Sequence, residues 1–159
     1  KAISLRYFNP IGSHNSKKLK MNIDKYQNNL LPVLIRSVLN NQKFHIYGSD
    51  YPTIDGTCMR DYIHVTDVAK AHIKALENLR NLKNHTQINI GTGRAYSTLE
   101  VIKTFEKANK IKLDYAFTKK RKGDVPICFA DINKSKKLLK WSAKSSLTKM
   151  CKDSFAPFK

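Results

Sequence analysis

The sequence predicts an α/β fold on three observations. Short apolar runs alternate with amphipathic stretches, turns rich in Gly and Asn punctuate the alternation, and a capping box opens one of the helices. Ala2 to Phe8 alternates and then becomes continuously apolar, which is the pattern of a strand; Asn9-Pro10-Ile11-Gly12 is expected to stop it. From Ser13 to Gln27 the chain is polar, Lys-rich and without period. A loop of that length in a compact domain is more often functional or mobile than filler.

Asn28 and Asn29 are N-cap candidates and Pro32 falls in a first helical turn, where a missing N–H is harmless. A helix is expected from about Leu30 to Leu39, with Val33, Leu34, Val38 and Leu39 inward. Phe44 to Tyr47 is a short strand closed by Gly48-Ser49-Asp50. Pro52 and Asp55-Gly56 then supply the chemistry of a tight reversal.

A second helix is expected to start near Thr66 or Asp67 and run to about Leu79, burying Ala69, His72, Ile73, Leu76 and Leu79. A loop from Asn81 to Thr86 leads to a strand from Gln87 to Ile90 and the turn Gly91-Thr92-Gly93. Ser97-Thr98-Leu99-Glu100 is a capping box whose helix continues to about Asn109. Leu113 to Phe117 is a strand, Thr118 to Asp124 a basic loop, and Pro126 to Ala130 is extended. Asp131 is placed to cap a helix reaching Leu139, Trp141 is a core anchor, and a last helix starts near Ser146 and ends before Pro157.

At 159 residues the chain suits one domain with a real core. No apolar run approaches the roughly eighteen residues of a membrane span. Lys1 to Asn9 has no small-residue cleavage site, and the chain enters a strand at once without an initiator Met, which reads as a fragment or processed piece. Cys58, Cys128 and Cys151 lie far apart with no C-x-x-C pair, so a reducing, cytoplasmic setting is expected, with neither a disulfide framework nor a metal site. The net charge of +18 raises nucleic acid as a partner, but Lys far outnumbers Arg, is spread over every helix and accompanies no nucleic-acid signature. A solvated Lys-rich surface is the better account, with no nucleic-acid and no membrane partner.

Two arginines sit in comparable settings. Arg60 precedes Asp61, and Arg121 precedes Gly123-Asp124 among Lys119, Lys120 and Lys122. Arg suits planar, bidentate recognition of phosphate. The residues alone leave two readings open, a diphosphate clamp or two surface salt bridges. His64 and His72 read as packed, satisfied histidines before catalytic ones, and Asp55 and Asp61 as turn and ion-pair residues. No nucleophile with its base is visible. Gly91-Thr92-Gly93 lacks the third glycine of a dinucleotide fingerprint.

Five motifs occur in order: Leu5-Arg6-Tyr7-Phe8-Asn9-Pro10-Ile11-Gly12, Asn28-Asn29-Leu30-Leu31-Pro32, the stretch from Tyr51 to His72, Asn89-Ile90-Gly91-Thr92-Gly93, and Arg121-Lys122-Gly123-Asp124-Val125-Pro126. Together they resemble the C-terminal half of the UDP-glucose 4-epimerase family, in the extended short-chain dehydrogenase/reductase superfamily. The resemblance implies the substrate-binding part of an extended Rossmann-type fold, 1–159 as one unit, with 1–12 and part of 61–95 packing against an N-terminal NAD-binding domain. It implies an enzyme that holds NAD, oxidises C4 of a UDP-hexose, lets the 4-keto sugar rotate and re-reduces it, as in galactose metabolism. The family's catalytic Tyr, Lys and Ser or Thr fall upstream of Lys1, so no catalytic residue is assigned here, and the chain alone is expected to be inactive. Another nucleotide-sugar epimerase or dehydratase, or an inactive UDP-sugar-binding remnant, is the alternative.

By the same resemblance Phe8 packs near the nicotinamide and Asn9 contacts substrate. Asn29 and Leu30 hold the UDP moiety, His45, Ile46 and Tyr47 form the uracil pocket, Arg60 and Arg121 clamp the diphosphate, and Asp124 accepts from the ribose. Cys128 stands where some members carry a bulky Tyr, which implies room for UDP-N-acetylhexosamines beside UDP-glucose and UDP-galactose. The loop from Met21 to Gln27 lacks the family's acidic-Pro-Gly pattern, and Lys140 replaces a common Gly. A homodimer of the full enzyme is a possible assembly.

Overall fold

The computed structural model describes residues 1–24 and 28–159. The elements follow as β1 (Ala2–Tyr7), β2 (Asn9–Ile11), α1 (Leu30–Leu39), β3 (Phe44–Tyr47), β4 (Met59–Arg60), β5 (Tyr62–His64), α2 (Val65–Asn78), β6 (His85–Ile90), β7 (Tyr96–Ser97), α3 (Thr98–Asn109), β8 (Tyr115–Thr118), β9 (Ile127–Cys128), α4 (Asn133–Leu139) and α5 (Leu147–Phe155). This is the predicted α/β alternation. Pairing is parallel between β1 and β6, β2 and β5, β3 and β8, and β4 and β9; among the described residues only β4 with β7 is antiparallel. Residues 25–27, the end of the expected long loop, lie outside the described residues.

The first strand ends at Tyr7, just before Asn9-Pro10, but Asn9–Ile11 is itself a short strand and not a turn. At this point the chain exchanges one ladder for another: the Phe8 N–H donates to the Ile90 carbonyl at 3.1 Å, and the Asn9 N–H donates to that of Asp61 at 3.0 Å. Pro10 lacks a donor, which a three-residue strand with one partner tolerates. The handover places Phe8 and Asn9 where two ladders diverge.

Two apolar cores flank this line. Leu31, Leu34 and Ile35 of α1 pack with Phe44 and Ile46 of β3, Ile102 and Phe105 of α3, and Met150 and Phe155 of α5. Ile63, Ala71, Ala75, Ile88, Ile90, Leu139 and Trp141 form the other. Strand alternation explains how β5 serves both, since Tyr62 belongs to the first core and its neighbour Ile63 to the second. Each fully buried Leu, Ile or Phe contributes about 1.5–3 kcal/mol. Phe105 and Phe155 meet edge to face at 5.5 Å, holding α3 on α5.

Most helix signals act as expected. Ser97 Oγ accepts from the Glu100 N–H at 3.0 Å, though Glu100 turns to Arg94 and does not complete the box. Ser146 caps α5, and Asp131 Oδ1 accepts from the Asn133 N–H at 2.9 Å. Boundaries shift by a residue or two at α2, β6, β8 and α4. Leu39, expected inward, is exposed at the end of α1, where Ile35 and Ser37 take the buried places.

The face of α2 is the main correction. Its buried residues are Asp67, Ala71 and Ala75, while Ala69 and His72 are exposed, Leu79 is half-buried, and Ile73 and Leu76 are 56% and 71% exposed. The apolar stripe is real but points away from this chain's own core, and small alanines let the helix sit close on the other side. His72 is accordingly a surface residue, its Nε2 2.8 Å from the Tyr7 hydroxyl.

Asp61 is a further correction. It forms no ion pair among the described residues and is fully buried. Its carboxylate accepts from the N–H of Thr92 (2.9 Å) and Gly93 (2.9 Å), from Thr92 Oγ1 (2.6 Å) and from the Ala130 N–H (3.2 Å). Gly91 is required beside it, because a Cβ there would lie 2.5 Å from Asp61 Oδ2 and 2.6 Å from the Ala130 Cβ. One side chain thereby ties β5 to the turn after β6 and to the segment after β9.

His64 is buried and satisfied, as expected. Its Nδ1 accepts from the Thr66 N–H at 3.1 Å, so Nε2 carries the proton and donates to Asp153 Oδ2 at 3.2 Å. Burial lowers its pKa below the ordinary value, with the Asp153 carboxylate opposing. The unfolded chain therefore takes up this proton first as pH falls. Stability from His64 should be complete above about pH 6.5 and decline as pH falls through the lower folded pKa; denaturant titrations from pH 7 to 5 should show this slope flatten in His64→Asn. Asp61→Ala leaves the N–H groups of Thr92, Gly93 and Ala130 without this acceptor and should lower the unfolding free energy by about 3 kcal/mol in the same titration.

Candidate functional site

A cleft of about 750 Å³ opens where the two ladders diverge. Phe8 and Asn9 line it at the strand junction, with the Asn9 Nδ2 fixed by a 2.9 Å bond to the Asp61 carbonyl. The N-terminus of α1 forms another side. Asn29 is the N-cap with extended backbone, yet its side chain makes no capping bond, so its amide remains available to the cleft. Leu30 follows it, and the first turn of α1 carries no acidic residue, so the positive end of the helix dipole is not neutralised there.

Strand β3 supplies a third side. Phe44 and Ile46 alternate into the core, while His45 and Tyr47 point outward. All three of His45, Ile46 and Tyr47 line the cleft, Ile46 by its position in the strand since its side chain is buried. The Arg121 guanidinium lies 3.7 Å from the centre of the Tyr47 ring, a cation–π stack on an exposed tyrosine.

The remaining wall is Arg60 with Asp124. Arg60 Nη1 donates to the carbonyls of Met59 (2.9 Å) and Val125 (2.7 Å), which fixes the guanidinium plane and pins the loop that carries Arg121 and Asp124. Nη2 is left facing Asp124 Oδ1 at 3.7 Å, a loose ion pair beyond hydrogen-bond length. Arg60, Arg121 and Asp124, some sixty residues apart in sequence, thus line one cleft. Beneath them Asp55 accepts from the Thr57 N–H at 3.0 Å and from the hydroxyls of Thr57 and Ser97. Burial pushes the Asp55 pKa up, but these bonds outweigh it and hold the group below its usual value. The turn is therefore locked by an ionised carboxylate.

Cys128 is not brought into the cleft lining. It is exposed on β9, in register with Arg60 on the neighbouring strand. Conversely Cys58, Tyr62, Thr98, Arg36 and Met21 line the cleft without having been singled out. Cys58 lies just before β4, and no local pattern marks it. Among the described residues no cluster of His, Cys, Asp and Glu could hold a metal.

The arrangement suits an elongated anion with a planar group: an aromatic shelf, an unneutralised helix N-terminus, two guanidinium groups and a carboxylate that can accept from hydroxyls. A dinucleotide is a poor fit for the one Gly-rich turn present. The N–H groups of Thr92 and Gly93, which would have to face a pyrophosphate, already donate to Asp61.

Comparison with known proteins gives the family of the chain. Residues 1–91 match the model of the NAD dependent epimerase/dehydratase family. The chain belongs to that family. It is 44% identical over 152 residues to UDP-glucose 4-epimerase of Bacillus subtilis (strain 168), covering 95% of this chain and 45% of that protein. Among solved structures, UDP-glucose-4-epimerase from Stenotrophomonas maltophila, with bound NAD and formylated UDP-arabinopyranose, superposes with a TM-score of 0.92 at 38% identity, over 97% of this chain and 46% of that one. The Bifidobacterium longum UDP-glucose 4-epimerase in complex with NAD+ and UDP gives 0.87 at 39% identity, over 96% and 45%. The chain thus spans a little under half the length of these relatives. No helix among the described residues is long and apolar enough to cross a membrane.

Proposed function

We propose that this chain is the nucleotide-holding part of a UDP-hexose 4-epimerase and that it binds the UDP moiety in the cleft described above. The observation that carries this is the convergence of Arg60, Arg121, Asp124, Tyr47 and Asn29 from four separate segments on one cleft, in a chain about 40% identical to UDP-glucose 4-epimerases. Asn29, the α1 N-terminus, Arg60 and Arg121 would take the diphosphate, Asp124 the ribose hydroxyls, and Tyr47 with His45 and Ile46 the uracil. Asn9 would face the sugar, and Phe8 the nicotinamide ring of NAD.

NAD itself would be held mainly by the remainder of the protein, since this chain's Gly-rich turn is committed to Asp61. The same remainder would cover 1–12 and part of 61–95, which include the outward apolar face of α2 at Ile73 and Leu76. The reaction served is inversion at C4 of UDP-glucose and UDP-galactose, with every catalytic side chain contributed from outside this chain. The purified chain should therefore bind UDP yet turn over no UDP-galactose, and Arg60→Ala should weaken UDP about tenfold or more by calorimetry, the loss of one charge-assisted contact. Absence of UDP binding by the unaltered chain would overturn the proposal.

Cys128 flanks Arg60 across the β4–β9 pair, and its small side chain would leave volume for an N-acetyl group at the sugar end. In the complete enzyme, Cys128→Tyr should reduce turnover of UDP-N-acetylhexosamines much more than that of UDP-galactose. Equal activity on both would count against this role.

A further inference from the structure

Residues 21–24 carry neither helix nor strand, yet Met21 and Asn22 line the cleft. Backbone without a ladder of its own has to find partners elsewhere. Apolar packing supplies part of the hold, since Met21 and Ile23 lie half-buried against the first core. Arg36 supplies a polar part. Its Nη1 donates to the Asp24 carbonyl at 2.5 Å and, more weakly, to the Ile23 carbonyl at 3.4 Å. Between them Asn22 Oδ1 accepts from the Asp24 N–H at 2.8 Å, which turns the segment beneath the guanidinium. Arg60 braces its own loop in the same way, with one guanidinium nitrogen on two carbonyls.

The position of Arg36 on α1 says which end of the cleft this wall closes. Arg36 lies roughly 9 Å along the helix from Leu30, so it is remote from the helix N-terminus that would face the diphosphate. Ser37, Gln42 and Lys43 line the cleft beside it, and the chain passes through them into β3 and the aromatic shelf at Tyr47. Arg36, Met21 and Asn22 therefore stand at the base end.

We infer that Arg36 is a positioning residue, which holds Met21 and Asn22 as the wall at the base end of the cleft and through them fixes the uracil of a bound nucleotide. The inference rests on the UDP-binding role proposed above. Arg36 acts through the segment and not on the ligand, and it does so from inside a helix, where its own backbone is already fixed.

The test follows UDP binding by calorimetry, and amide exchange over residues 21–24 by mass spectrometry, in the unaltered chain, Arg36→Ala, Arg36→Lys, Met21→Ala and the Arg36→Ala/Met21→Ala pair. Arg36→Ala should speed exchange over 21–24 and weaken UDP about fivefold. Arg36→Lys keeps the charge without the planar fork, so exchange and affinity should move together in it. Met21→Ala should weaken UDP when Arg36 is present and cost nothing further once Arg36 is gone, a coupling that a direct contact from Arg36 to the ligand would not produce. Unchanged affinity in Arg36→Ala, full affinity in Arg36→Lys with residues 21–24 still exchanging fast, or additive losses in the double variant each overturn the inference and leave UDP binding standing. Failure of the unaltered chain to bind UDP removes both, and is recognised by the first measurement alone.

Discussion

The buried carboxylate of Asp61 is the constraint on which the rest of the site depends. Its donors come from the turn after β6 and the start of the segment after β9, while its own backbone carbonyl accepts from the Asn9 N–H and the Asn9 side chain. Three segments distant in sequence are registered on one residue. A desolvated carboxylate is tolerable only when its lone pairs are filled, and here backbone N–H groups fill them without a cation. The consequence for the neighbouring residue is direct. With Asp61 satisfied by backbone, Arg60 has no tie to it and turns to the cleft.

The same logic recurs at the cleft wall. Arg60 is braced by two carbonyls, Asp55 is locked by Thr57 and Ser97, and Tyr51 is wedged by Gly48 and Lys120. Each of these side chains is held by a neighbour that does not line the cleft. What is left loose is the Arg60–Asp124 pair and the Arg121–Tyr47 stack, the two contacts that the proposed nucleotide would have to rearrange.

Much of this was legible in the sequence because local chemistry decides it. Pro32 and Asn29 set the start of α1, Ser97 and Ser146 cap their helices, and β3 alternates cleanly between two glycine- or asparagine-rich turns. The arginine pair and Asp124 were legible through the family's motifs, whereas the residues alone left the clamp undecided. The misses share one cause. Periodicity on α2 reports that an apolar stripe exists, not which body covers it, so Ile73 and Leu76 were placed inward. Asp61 looked like an ion-pair residue because its partners, at 92, 93 and 130, are invisible to any local window. Asn9-Pro10 looked like a stop because a change of ladder partner has no composition signature of its own.

The parallel pairing of strands far apart in the chain has a consequence for how the molecule is made. Within this stretch β1 is made well before its partner β6, which begins at His85, and β4 waits for β9 at Ile127. Arg60 emerges from the ribosome long before Val125, whose carbonyl fixes its guanidinium. No nascent chain that stops short of that point can hold the cleft in this shape, and β1 lacks its β6 partner until Ile90 has been made. Loop closure over such separations is slow, and exposed edges are where newly made chains associate. The vectorial order of synthesis thus makes the cleft one of the last parts of this stretch to mature.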